Sequence, residues 1–139
     1  MANVVSKHSA ERYVWGGDCV GWHLLKSPGL SVIQERVPPG RGEIRHYHQH
    51  AHQFFFILSG CATLEVDGQV LKVAPCQGCS VPPQVPHRLS NEEAADLEFV
   101  VVSSPPSHGD RIELKQEKPS QRNILMHNAK SGGEKRSPR

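Results

Sequence analysis

The residues best suited to chemistry stand between Gly40 and Gly60, in GRGEIRHYHQHAHQFFFILSG, and their centre is the pair His46 and His48. Two histidines one residue apart project from the same face of an extended segment, so both imidazoles can reach one ion. Gln53 follows five residues after His48, and a further histidine, His87, lies in VPPQVPHRLSN. Together His46, His48, Gln53 and His87 read as four ligands from two separated stretches, which only a closed fold brings together. Neutral imidazole suits Zn, Fe, Ni and Cu, and an added oxygen donor also admits Mn. Three imidazoles and one amide oxygen leave part of an octahedron open for water or a small ligand. An amide carries no formal charge, so such a site binds a divalent ion less tightly than its carboxylate version and leaves it a stronger Lewis acid.

The elements that must position these residues read as strands. YVWGGDCVGWHLL places Trp15 and Trp22 on either side of a Gly16-Gly17-Asp18 turn signal, with the indoles covering one end of a core. Leu30 to Val37 mixes β-branched and polar residues as a strand does, and stops at Pro38-Pro39-Gly40. Phe54, Phe56 and Leu58 alternate with Phe55 and Ile57, which predicts a strand buried on both faces. Cys61 to Val66, Asp67-Gly68 and Gln69 to Val73 form a hairpin, since Asp-Gly favours the type I′ turn. Pro75, Pro82, Pro83 and Pro86 confine ladder pairing to short pieces around Cys79 to Val81 and His87 to Leu89. Leu97 to Ser103 is the last strong strand; residues 112–128 are read as a short strand and a turn or two of helix. No stretch before about residue 112 has a helical period, so the domain is all-β.

Other side chains are weaker candidates for chemistry. If the strand ending at Val37 lines the interior, either Gln34 and Arg36 or Glu35 faces inward, and alternation leaves both parities open. An inward Arg36 would anchor a carboxylate or phosphate, and Arg36 and Glu35 are the candidate catalytic helpers. His23 and His50 read as structural or exposed. Cys76 and Cys79 have a Cys-x-x-Cys spacing, but Cys19 and Cys61 do not form the second pair a zinc site needs, and a redox motif needs a strand-to-helix context that is missing.

The intervals Gly40, five residues, His46, one residue, His48, four residues, Gln53, six residues, Gly60 resemble the first cupin motif, and Pro82, His87 and Asn91 resemble the second. Gln53 stands where that family usually has Glu, and Cys76 and Gln84 where it usually has Gly. The resemblance covers roughly residues 20–110 and implies a double-stranded β-helix, or jelly-roll, barrel with one divalent metal ion. It also implies an alternative fourth ligand, His52, since some similar small cupins carry a fourth histidine there. The set His46, His48, Gln53 and His87 resembles the ligands of cupins that linearise unsaturated uronates. Those enzymes use an acid and an arginine near the final strand, where this chain has Val102 and Ser104, with Glu98, Asp110 and Arg111 nearby. The family often pairs through its outer sheet, which favours a homodimer.

A chain of 139 residues with 37% hydrophobic content supports one core. The expected division is an arm over 1–20, a barrel over 21–112 and an extension over 113–139 ending in a disordered basic tail. Residues 111–139 carry eight Lys or Arg against three Asp or Glu, a charge of +5, while eight against eleven leaves residues 1–110 at −3. Basic residues are not interleaved with aromatics, so nucleic acid is not an expected partner. No apolar run approaches the roughly 18 residues of a membrane span, and MANVVSKHSAERY lacks a secretory apolar region, so a cytoplasmic protein with reduced cysteines is expected. The functional expectation is a metal-dependent enzyme acting on a small oxygen-rich metabolite such as a sugar or organic acid, of isomerase, lyase or dioxygenase type. The alternative is a non-catalytic small-molecule-binding or sensory cupin.

Overall fold

The computed structural model describes residues 2–107 and 109–114, and among them every regular element is a strand. Eleven strands form two antiparallel sheets. One has the order β1 (Glu11–Trp15), β2 (Cys19–Lys26), β3 (Ser31–Val37), β10 (Leu97–Ser104), β5 (His52–Ser59), β8 (Gly78–Val81). The other has the order β11 (Arg111–Glu113), β4 (His46–His48), β9 (His87–Ser90), β6 (Ala62–Val66), β7 (Gln69–Val73). The architecture is the expected double-stranded β-helix, with strands that change sheet at short turns. The expected basic tail and the helical turn within 112–128 fall almost wholly outside the described residues.

Alternation along each strand fills the space between the sheets. Phe55, Ile57, Phe99, Leu64, Leu89, Leu97, Val37 and Val81 are all buried in one cluster. Truncating one of its aromatic rings to alanine would cost about 3–5 kcal/mol. The hairpin at Asp67-Gly68 forms as its sequence requires, with both residues at positive φ, 51° and 90°. The Gly16-Gly17 turn joins β1 to β2, so part of the segment read as an arm is the edge of the larger sheet.

The expectation that β5 is buried on both faces is met on the inner face alone. Phe54 and Leu58 remain 42% and 43% exposed, and Phe54 stacks on Phe56 across the outer surface. The outer face of this sheet is covered elsewhere, where the Lys7 ammonium lies over the Trp22 ring and pairs with Glu98. Among the described residues nothing covers Phe54 and Leu58 on this face.

Candidate metal centre

The turn between β4 and β5 decides which residue of β5 faces the interior. The Asp110 carboxylate accepts hydrogen bonds from the backbone N–H groups of Gln49, His50 and Ala51, the shortest at 2.8 Å. Slight burial pushes that carboxyl up, but the Ala51, His50 and Gln49 donors outweigh it and the net shift is downward. With the turn clamped, Gln53 is buried and pairs in register with Ser103 on β10, while His52 is exposed on the other face. His52 is therefore turned away from the histidine cluster, and the alternative that made it the fourth ligand is corrected in favour of Gln53's side.

His46 and His48 point inward from β4, and His87 enters from β9, where it pairs with His46. One ring nitrogen from each of the three lies within 4.8 Å of the other two. His46 Nδ1 donates to the Ile44 carbonyl at 2.6 Å and His87 Nδ1 to the Val85 carbonyl at 3.0 Å, both two residues back along the chain. The same local device thus fixes two rings and leaves each Nε2 with a bare lone pair. Burial lowers all three imidazoles, His46 and His48 to about 4, so the rings are neutral near pH 7.

Gln53 completes the set. Its Nε2 donates to Ser103 Oγ at 3.0 Å, and with the amide so oriented its Oε1 faces His87 Nε2 at 3.2 Å. Two acceptors opposed at that distance repel unless a positive charge lies between them. His48 Nδ1 is buried without a hydrogen-bond partner. Three neutral imidazoles with nitrogens within 4.8 Å of one another form a group that a borderline divalent cation fits, and the Gln53 amide oxygen stands beside it.

The parity of β3, which the sequence left undecided, sets Glu35 level with Phe99 and Ile57 of the core. Glu35 is the inward residue of β3 and is 8% exposed; its alternation partner Arg36 lies on the outer side, in register with Glu98. The expectation of an inward Arg36 anchoring an anion is therefore corrected, since one parity excludes the other. The Tyr13 hydroxyl on β1 donates to Glu35 Oε2 at 2.7 Å. Burial pushes Glu35 up to about 8, the Tyr13 hydrogen bond opposes this, Glu43 adds to it and Arg111 reduces it. Glu43 is also raised, chiefly by burial, and is opposed by His87 and Arg111. The Arg111 charge acts at longer range on Glu35, Glu43 and all three imidazoles.

Sequence reasoning missed Tyr13, Glu43 and Ser103. Ser103 was recoverable, being a polar residue at an inward position of an apolar strand. Tyr13 was not, because its reach depends on cross-strand register. All four cysteines are free, with Cys76 exposed and Cys79 partly buried. Among the described residues no helix is long and apolar enough to cross a membrane.

A family model described as a cupin domain matches residues 33–103, more than half of the chain. An uncharacterized protein of Methanocaldococcus jannaschii is 27% identical over 89 residues, covering 63% of this chain and 71% of its own. Among solved structures, KdgF from Halomonas sp. superposes with a TM-score of 0.71 at 16% identity, over 78% of this chain and 97% of its own. A sugar phosphate isomerase from Silicibacter pomeroyi superposes at 0.65 with 21% identity, over 75% and 76%. At such identities the two structures speak for the fold alone.

Proposed function

The chain belongs to the cupin domain family, and from that premise we propose that it is a metal-dependent enzyme acting on a small oxygen-rich metabolite, of isomerase or lyase type. The opposed lone pairs of His87 Nε2 and Gln53 Oε1, beside two further imidazoles, carry this reading. His46, His48, Gln53 and His87 hold one divalent ion, chosen among Zn, Fe, Ni, Mn and Cu. When bound, such an ion supplies Lewis-acid polarisation of a carbonyl or hydroxyl oxygen. The Ile44 and Val85 carbonyls keep two of the rings turned toward it, and Ser103 keeps the Gln53 amide oriented. A sugar phosphate isomerase is one protein that shares this fold.

Within the same reading the protein is cytoplasmic, a setting that suits its four free thiols, and it does not engage nucleic acid. It works as a homodimer joined through the open face of β5. The test of the metal centre is elemental analysis of protein purified without a histidine tag or chelator. Near one equivalent of a transition metal is expected, falling to background in His46→Ala and His87→Ala. Metal content unchanged in both variants would remove the centre from these residues.

A further inference from the structure

The strand that carries two of the three imidazoles has little support from the rest of the barrel. β4 is three residues long, and β9 meets it in register at His46 alone. At its other end the Gln84 N–H donates to the His48 carbonyl at 2.7 Å. β11, by contrast, runs along its whole length, with Arg111 opposite His48, Ile112 opposite Tyr47 and Glu113 opposite His46. Bonds from the Gln49 N–H to the Asp110 carbonyl at 3.1 Å and from the Leu114 N–H to the Arg45 carbonyl at 2.9 Å extend that pairing at both ends. The same segment reaches two other determinants of the centre. Asp110 grips the N–H groups of the turn that leads from His48 to Gln53. Arg111 Nη2 donates at 3.4 Å to the Ile44 carbonyl, the group that orients the His46 ring. All of this lies beyond residue 103, where the cupin match ends.

We propose that Asp110 to Leu114 form a strap whose docking is coupled to the metal centre, with Asp110 as its positioning residue. The inference rests on the metal reading above and adds to it an element that the four ligands do not include. β11 is the edge of its sheet and all three of its residues are exposed, so the strap comes away from the fold at lower cost than the buried strands do. With the strap undocked, β4 keeps its pairing at His46 and its bond to Gln84, but the turn that spaces His48 from Gln53 is no longer gripped. An ion that needs His46, His48, Gln53 and His87 together binds the docked form more tightly. By linkage, the ion favours docking by the same factor. The strap is therefore a latch on metal retention.

Zinc is the probe, on the full chain. Amide hydrogen exchange followed by NMR reads docking in the wild type without any substitution. Zinc should slow exchange at Arg111, Ile112, Glu113 and Leu114 about tenfold more than in β7, the opposite edge of the same sheet. Asp110→Ala should weaken zinc about ten- to a hundredfold in competition with a chromophoric chelator. A residue that stabilised the fold equally with and without the ion would lower the urea midpoint of the metal-free chain and leave this affinity unchanged. Asp110→Asn, which keeps one accepting oxygen, should fall between. Ile112→Pro takes a backbone donor out of β11 while the Asp110 carboxylate stays, and it should weaken zinc as well. Affinity in Asp110→Ala equal to that of the wild type would overturn the proposal, as would strap amides no better protected by zinc than those of β7. Either result, with zinc still lost in His46→Ala, would leave the metal reading standing. A wild type that takes up no zinc would overturn both.

Discussion

Gln53 concentrates the chemistry of the centre in one atom substitution, an amide where a carboxylate is common. Replacing it by glutamate keeps the shape and lets the Ser103 hydroxyl donate to the new oxygen, so the side chain retains its seat. The added charge lies beside His87 in a buried setting, where attraction to a cation exceeds its value in water. Gln53→Glu should bind Zn or Ni about ten- to a hundredfold more tightly in competition with a chromophoric chelator. Equal affinity would mean that the amide oxygen is not a ligand. At this scale the histidines were legible because one-residue spacing fixes their common face in any strand. Gln53 and His52 were not separable, since adjacent residues exchange faces with a one-residue change in the preceding turn, and Asp110, about sixty residues away, sets that turn. Cys76 and Gln84, noticed only as departures from glycine, adopt φ of 65° and 68°. The backbone conformation has been kept where the residue that favours it has been lost, at a cost of about 1 kcal/mol each.

At the scale of elements, the two walls of the barrel carry opposite proton linkages. On β3, Glu35 rises from 4.5 to about 8 in the folded chain, chiefly by burial, so folding favours its protonated form. That contribution is complete below about pH 4.5 and is lost as pH rises through 8. On β4, His46 and His48 fall from 6.5 to about 4, chiefly by burial, so their contribution is present above 6.5 and is lost as pH falls toward 4. Above 6.5 the raised Glu35 sets the slope; below it the imidazoles, His87 being lowered as well, outweigh the raised carboxyls Glu35 and Glu43. The metal-free protein should therefore be most stable near pH 6.5, losing about 1.4 kcal/mol per unit on the alkaline side up to 8. Urea midpoints across that range check it, and Glu35→Gln should flatten the alkaline limb. A limb as steep in the variant would assign it to other groups. The β3 parity behind this behaviour could not be read from LSVIQERV, because polar residues occupy both phases of its alternation. The strand's existence was legible and its orientation was not.

For the whole molecule, the larger sheet has one filled face and one face in two parts. The filled inner face was evident from Phe55, Ile57, Phe99 and Val101 at period two. On the outer face, polar contacts among Lys7, Gln34 and Glu98 finish one end, whereas β5 offers Phe54, Phe56 and Leu58 beside partly buried Val100 and Val102. The Phe54 ring lies over Gly78 on β8, which has no Cβ to displace it, so the patch is flat and preordered. A flat apolar strip in the middle of a sheet suits a self-complementary contact about a two-fold axis, with the strip of one copy on that of the next. Sedimentation of the full chain should give a dimer. Phe54→Lys with Leu58→Lys should give a monomer, because like charges would face each other across the axis. The same variant should keep its metal, since both residues point away from the histidines on the opposite face of β5. A wild-type monomer at micromolar concentration would refute the dimer. A charged variant that stayed dimeric would move the contact to another surface.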